Sequence, residues 1–196
     1  MTVAKASPQF KSFEEYLAAD PWDLPEGRHE YWDGELVPVM TEGLLNHEIA
    51  SYLYFLLVQA GMDKKLVHPG GVEVAVPGRP RTRFPDLTVL DEVHLATLQR
   101  RATVPPDGPP PQMVVEVVSP GRETSANYRR DYETKRDQYA NRGIPEYWIV
   151  DPGRHWVMVG TLVDGAYQFA TFVGPQVIVS PTFPGLGLTA EVVLAG

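Results

Sequence analysis

Two acidic residues stand at positions where they could bind a metal ion. Asp86 follows Pro85 and directly precedes the apolar run 87–90, so its carboxylate is expected at the entrance of a strand. Glu116 is the only ionisable residue in the largely β-branched run 113–118. A buried carboxylate is costly unless it shifts its pKa or finds a partner, and a cation is one such partner. If the two strands are neighbours, both acids could hold one hard cation such as Mg²⁺, which leaves water for a substrate phosphate.

Lys135 is the third candidate for chemistry. In the helix predicted over 124–142 it shares a face with Asp131 and Tyr139, each four residues away, and with two further tyrosines, Tyr128 and Tyr132. This face is aromatic, so the ammonium group is expected to point inward, where a carboxylate pair could hold it. Its role would be to orient or polarise an attacking water, or to stabilise charge in the transition state.

Each of these residues also has a purely structural interpretation. Asp86 could cap a turn after proline, Glu116 could pair with a buried arginine, and Lys135 could extend along the surface into water. His47, at the start of a predicted core helix, could be a ligand or proton shuttle, but a capping or core role explains it equally well.

Other charged residues could support the same chemistry. Arg79, Arg81 and Arg83 alternate beside Asp86, so an extended backbone would form a cationic stripe suited to phosphate, and a solvated loop is the alternative. Three further acids could assist, although solvated or ion-paired roles explain them better: Glu30, Glu35 and Glu48.

The segments that would position these residues alternate between helices and strands. Ser12 and Glu15 have capping-box spacing and predict a short helix to about Ala19. Asp33-Gly34 and Asp164-Gly165 predict tight hairpins. A helix is predicted over 44–60, with Leu45, Ile49, Leu53 and Leu56 on its apolar stripe and Gly61 as its stop. Strands are predicted over 72–76, 87–90, 113–118 and 146–150, the helix of 124–142 should stop at Gly143, and the tail after 173 offers only short strands. The proline-rich segment 104–111 predicts an exposed loop.

Composition limits the class of protein. The chain has 196 residues, 43% of them hydrophobic, which predicts one compact domain over 1–196, with a core at about 29–151 and a β-rich C-terminal extension at 152–196. The absence of cysteine excludes disulfides and thiolate zinc sites. No signal peptide or membrane-spanning segment is recognisable, so we expect a cytoplasmic location. The net charge of -8 argues against non-specific coating of nucleic acid, so any DNA contact must be local.

The motifs occur in a recognisable order. They are Phe84-Pro85-Asp86, Val115-Glu116-Val117-Val118-Ser119-Pro120, Lys135, Tyr139, Gly143 and the strand 146–151, preceded by the segment 30–36 and the pair Asn46-His47. This order resembles the Uma-type restriction endonuclease family, formerly a domain of unknown function, within the PD-(D/E)XK nuclease superfamily. The resemblance covers roughly His29 to Asp151.

The resemblance implies a fold, a site and an activity. The fold would be α/β, a restriction-endonuclease-like mixed central sheet flanked by helices, with additional N-terminal and C-terminal β-hairpins. Asp86, Glu116 and Val117 would bind Mg²⁺, or Mn²⁺ in its place, and Asp86, Glu116, Lys135 and His47 would form the catalytic set. The implied activity is hydrolysis of DNA, with RNA left open, by a protein that we expect to be a homodimer because paired subunits could address both strands.

One position departs from the superfamily pattern. The superfamily usually places a lysine two residues after the second acid, and here that position is Val118. The resemblance implies that in this family the lysine has moved onto the following helix, which agrees with an inward-facing Lys135. The alternative function is a module that keeps the nuclease fold and binds nucleic acid or protein without turnover, and an RNase with the same site is a third interpretation.

Overall fold

The computed structural model describes residues 9–40, 43–122 and 124–196, and it shows six α-helices and eleven strands in those ranges. In chain order these elements are α1 (Phe13–Ala18), β1 (His29–Trp32), β2 (Glu35–Pro38), α2 (Leu44–Gln59), β3 (Val67–Pro69), β4 (Glu73–Ala75), β5 (Thr82–Arg83), β6 (Leu87–Val89), α3 (Glu92–Thr97), β7 (Thr103–Val104), β8 (Met113–Val117), α4 (Ala126–Arg129), a π-helical turn (Arg130–Thr134), α5 (Lys135–Arg142), β9 (Glu146–Asp151), β10 (Trp156–Val163), β11 (Ala166–Val173) and α6 (Ala190–Val193). A 3₁₀ turn also spans Pro21–Asp23.

A mixed sheet of six strands forms the centre, in the order β11-β10-β9-β8-β6-β3. Strands β8 and β9 are parallel, and the other neighbours are antiparallel. The parallel pair is joined by α4, the π-helical turn and α5, as expected for a crossover connection. The C-terminal hairpin β10–β11 extends this central sheet, and a three-stranded sheet, β5-β4-β7, and the two-stranded hairpin β1–β2 complete the β-structure of the described residues.

The middle strands of the central sheet, β6, β8 and β9, are buried on both faces. One face packs against α2 and α6, through residues that include Ile49, Leu53, Val115 and Trp148. The opposite face packs against α5 and the three-stranded sheet, through Val114, Tyr139, Tyr147 and others. All five residues of β8 are buried, as its apolar sequence predicts. Because side chains alternate along a strand, Glu116 lies on the same face as Val114, towards α5.

The turn chemistry predicted from the sequence is confirmed. Asp33 and Gly34 have φ values of 45° and 101°, and Asp164 and Gly165 have 49° and 82°, the positive values that a tight two-residue hairpin requires. Of the capping box predicted from Ser12 and Glu15, one half is seen: Ser12 Oγ accepts a hydrogen bond from the backbone amide of Glu15, and α1 begins at Phe13. The Glu15 carboxylate accepts from the Lys11 amide, where a full capping box would have it accept from that of Ser12.

Three predictions about secondary structure were wrong in detail. Val104 belongs to β7 and pairs with Val74, because it still carries the amide that the prolines after it lack. Leu45, predicted on the buried stripe of α2, is 44% exposed, so burial along this stripe begins one turn later. The tail forms one bridge, between Val177 and Thr189, and the helix α6, where only strands were expected.

In the described ranges, no helix combines the length and apolar character needed to cross a bilayer.

Candidate functional site

A cleft of about 240 Å³ opens beside the end of β8. Its floor contains Asp86, Glu116 and Val117, and Lys135 enters from the first turn of α5. The remaining lining residues come from the β1–β2 hairpin and the segment after it, from the π-helical turn, and from the ends of neighbouring strands: Glu30, Pro38, Val39, Met40, Phe84, Ser119, Arg130 and Asp131. The cleft therefore brings together the two acids and the lysine that the sequence singled out.

Strand register places the two acids opposite each other. Strands β6 and β8 are antiparallel, with Leu87 paired to Val115. Extending this register by one residue sets Asp86 across from Glu116 on the same face of the sheet. Asp86 Oδ2 also accepts a hydrogen bond of 2.6 Å from the backbone amide of Val117, which fixes its carboxylate against β8.

Both oxygens of Glu116 are engaged by donors from α5. Lys135 Nζ lies 2.6 Å from Oε2, and the Tyr139 hydroxyl donates to Oε1 over 2.5 Å. Only 1% of Glu116 is exposed, and this burial raises the pKa of its carboxyl, an effect that the positive charge of Lys135 partly offsets. Burial and the charge of Glu116 together raise the pKa of Tyr139, so its hydroxyl stays protonated as a donor.

Lys135 bridges two carboxylates. Its ammonium group also lies 2.9 Å from Asp131 Oδ1, one helical turn earlier. Burial favours the neutral amine, but the charges of Glu116 and Asp131 outweigh it and raise the pKa of Lys135. For Asp131, burial likewise favours the neutral acid, and the charges of Lys135 and Arg130 outweigh it and lower its pKa. The lysine is therefore held as a cation inside the cleft.

The backbone of Val117 is fixed on both sides. Its amide donates to Asp86, as described above, and its carbonyl accepts a hydrogen bond of 2.8 Å from Asn46 Nδ2. Asn46 is 2% exposed and reaches β8 from the first turn of α2, where its side chain also donates to Ser119 Oγ over 3.2 Å. A carbonyl oxygen has two acceptor positions, so Val117 keeps one for another partner.

The structure does not bring His47 into the cleft. Its side chain is exposed on α2 and is absent from the residues that line the cleft, whereas the preceding residue, Asn46, contacts β8. A helix turns by about 100° per residue, so the neighbours point in different directions. Among the accessory acids, Glu30 lines the cleft, while Glu35 and Glu48 are exposed.

The stripe predicted from Arg79, Arg81 and Arg83 does not form. Arg79 pairs with Asp33 at the surface, and the guanidinium of Arg81 lies over the Phe13 ring. Arg83 is 3% exposed and is bound by Glu30 and Gln138. The expectation required one extended strand from 79 to 83, but only Thr82 and Arg83 belong to β5, so the three side chains diverge.

Sequence reasoning missed several residues that shape the cleft. Asp131 was noted only as a neighbour of Lys135 on the helix, and its spacing of four residues was a usable signal. Arg130 was not among the candidates, because the π-helical turn that directs it into the cleft has no sequence signature. Asn46 was seen only as part of a motif.

Two comparisons with known proteins identify the family. The sequence model of the Uma2 family, described as "Putative restriction endonuclease", matches residues 13–191. A crystal structure from Anabaena variabilis, described as "a putative nuclease belonging to DUF820", superimposes with a TM-score of 0.67 at 15% sequence identity, covering 93% of this chain and 96% of that chain. At that identity the likeness establishes the fold. No curated protein matches the sequence significantly. The family match spans most of the chain and the fold agrees with it, so this protein belongs to the Uma2 family of restriction-endonuclease-like proteins.

Proposed function

We propose that this protein is a metal-dependent endonuclease that hydrolyses phosphodiester bonds of DNA. The observation that carries the proposal is the arrangement of Asp86, Glu116 and Lys135 in one cleft. Asp86, directly before β6, stands opposite Glu116 of the adjacent strand β8, and the ammonium group lies 2.6 Å from Glu116. Two carboxylates with a nearby cation suit phosphoryl chemistry, where negative charge develops on oxygen.

The donors in the cleft fit a hard divalent cation. They are carboxylate oxygens of Asp86 and Glu116 and the carbonyl oxygen of Val117, the type of ligand that Mg²⁺ and Mn²⁺ prefer. Glu116 Oε2 already accepts a cationic group, the ammonium of Lys135. The proposed site therefore has two carboxylates, and the backbone and water would complete the coordination of the metal.

A metal ion bound there would supply positive charge to a phosphoryl oxygen and favour ionisation of the attacking water. The protein's own residues do the rest. The Val117 amide holds the Asp86 carboxylate in place, so this carboxylate needs no rearrangement to bind the metal. Lys135 keeps its proton and can orient the water or stabilise charge on the phosphate. Tyr139 and Asp131 fix Glu116 and Lys135 through their hydrogen bonds.

The charge balance of the cleft favours binding of substrate together with metal. Four carboxylates line it, from Glu30, Asp86, Glu116 and Asp131. Lys135 and Arg130 line it as well, and Arg83 neutralises Glu30. With these groups ionised, carboxylates outnumber cations by one, and the cleft alone repels a phosphodiester. A divalent cation reverses the sign, so we expect nucleic acid to bind here only when metal is present.

The expected homodimer has a candidate surface. Strand β11 is an outermost strand of the central sheet and contains no charged residue over Ala166–Val173. An edge of this kind presents free backbone groups to another chain. A dimer in light scattering that Ala170→Lys converts to a monomer would support pairing through β11, whereas a monomeric wild type would contradict the dimer.

Cleavage assays test the proposed activity. Supercoiled plasmid, single-stranded DNA and RNA should each be incubated with the protein in Mg²⁺, in Mn²⁺ and in a chelator. Nicking of plasmid that needs metal supports the proposal. Cleavage of RNA alone favours an RNase, and binding of nucleic acid without cleavage in any metal favours a module without turnover.

A further inference from the structure

Arg130 is a cation of the cleft that the proposed function leaves without a role. The arginines expected to contact phosphate are used elsewhere, since Arg83 is buried against Glu30 and Arg79 pairs at the surface. Arg130 lines the cleft, and 42% of its side chain is exposed. It therefore reaches both solvent and the floor where the proposed metal would bind.

The π-helical turn accounts for the direction of Arg130. In a regular α-helix, five steps along the chain turn by about 500°, so residues five positions apart point about 140° away from each other. Over Arg130–Thr134 the backbone is wider, and the Lys135 amide donates to the Arg130 carbonyl five residues back. This hydrogen bond aligns Arg130 more closely with Lys135, so both side chains reach one cleft.

Asp131 orients the guanidinium group. Arg130 Nε lies 3.1 Å from Asp131 Oδ1, and Nη2 lies 3.5 Å from Oδ2. The same carboxylate holds Lys135 at 2.9 Å. Asp131 is 2% exposed, so it is a fixed anchor that places an ammonium and a guanidinium group side by side. Guanidinium groups suit phosphate because their parallel N–H donors match its oxygens.

We propose that Arg130 binds a phosphate group of the nucleic acid backbone, and that the π-helical turn directs its side chain towards that phosphate. This inference rests on the proposed function, because it assumes a nucleic acid substrate. It assigns binding to Arg130, while the two acids hold the metal and Lys135 acts near the reacting phosphate. The guanidinium would bind the nucleic acid backbone independently of base sequence, as phosphate contacts do.

The test compares Arg130→Gln with Arg129→Gln. Arg129 is the exposed neighbouring residue, so its variant loses the same charge without changing the cleft. The probe is a fluorescent DNA duplex in Ca²⁺, which permits binding without requiring cleavage, titrated at several salt concentrations. Arg130→Gln should weaken binding at least tenfold and reduce the salt slope by about 0.9, the value expected for one lost phosphate contact. Arg129→Gln should bind like the wild type.

Two further readouts separate binding from a structural role. Mn²⁺ affinity, measured by calorimetry, should stay within twofold of the wild type in Arg130→Gln. Arg130→Lys, which keeps the charge and loses the planar group, should recover part of the DNA affinity. The inference would be overturned if Arg130→Gln bound DNA as tightly as the wild type. It would also be overturned if Arg130→Gln lost as much Mn²⁺ affinity as DNA affinity.

Failure of the inference and of the proposed function give different results. A wild type that binds the duplex and never cleaves it contradicts the nuclease activity, and Arg130→Gln then still decides the role of Arg130. A wild type that binds no duplex in Ca²⁺ overturns the inference. A wild type that cleaves while Arg130→Gln binds normally overturns the inference alone.

Discussion

Lys135 Nζ lies 2.6 Å from Glu116 Oε2, although the two residues belong to a helix and a strand and are nineteen positions apart in the chain. The superfamily that this chain resembles usually supplies such a lysine from the strand itself, at the position occupied here by Val118. In this protein Val118 is buried in the core, and α5 carries the cation back to the same carboxylate. The ammonium group thus lies beside the second acid, where the resemblance implies a lysine, and the element that presents it differs.

Replacing Lys135 should lower both the stability of the protein and its activity. In Lys135→Met the Glu116 carboxylate stays buried without its cation, so unfolding in urea should show a loss of about 3 kcal/mol. Plasmid nicking should fall by at least about 100-fold, the usual effect of removing a group that stabilises transition-state charge. Arg136→Met is the matched control, because Arg136 is half-exposed on the same helix and pairs with Asp137.

A double variant sharpens this prediction. Glu116→Gln combined with Lys135→Met removes both charges, so most of the lost stability should return, while nicking should stay at least about 100-fold below the wild-type rate. If the double variant is as unstable as Lys135→Met alone, the ion pair is not the source of the loss. If Lys135→Met nicks plasmid at the wild-type rate, the lysine has no part in the chemistry.

Asp131 should contribute stability that depends on pH. Its folded pKa lies below the ordinary value of 3.8, so the contribution is complete above that value and is lost as pH falls through the folded pKa. Asp131→Asn should therefore be less stable than the wild type by about 3 kcal/mol at pH 7, because Lys135 and Arg130 lose a buried partner. Unfolding curves below pH 4 should show this difference shrinking.

The control for Asp131 is another acid of the same helical region. Asp137 pairs with Arg136 at the surface, where 63% of its side chain is exposed, so Asp137→Asn should change stability by less than about 0.5 kcal/mol. A difference between Asp131→Asn and wild type that stays constant from pH 7 to pH 3 would contradict the assigned shift.

Glu146 should be structural, in contrast to Glu116. It is fully buried, and its carboxylate accepts hydrogen bonds from Trp148 Nε1, Ser180 Oγ and the Thr182 amide. The last two donors tie the C-terminal tail to the central sheet, away from the residues that line the cleft. Glu146→Gln should lower stability by about 2 kcal/mol through the weakened hydrogen bonds and leave metal binding unchanged, as measured by urea unfolding and calorimetry. Loss of metal binding in this variant would contradict the structural role.

The sequence predicted the fold where local chemistry decides it. Asp33-Gly34 and Asp164-Gly165 can hardly form anything but tight turns, and the apolar run around Glu116 had to be a buried strand. The confirmed recognition of the family follows from the order of its motifs. The division into a core and an extension over 152–196 stays a prediction, although β10 and β11 pair directly with the central sheet.

The site could be predicted only in part, because tertiary contacts decide the rest. Spacing on a helix suggested that Lys135 points inward, and the structure places it in the cleft with Asp86 and Glu116. It could not show that Arg130 would be redirected by a π-helical turn, since such turns arise from packing. Nor could the spacing show that Arg83 would form an ion pair with Glu30, because these residues lie 53 positions apart.

The central claim is that Asp86 and Glu116 form one metal site, and calorimetric titration of Mn²⁺ and Mg²⁺ tests it most directly. The proteins to compare are wild type, Asp86→Asn, Glu116→Gln and the control Glu146→Gln, which removes a buried acid outside the cleft. We predict one bound ion per chain in wild type and control, and at least tenfold weaker binding, about 1.4 kcal/mol, in each cleft variant. A wild type that binds neither ion, or cleft variants that bind as well as the control, would contradict the account.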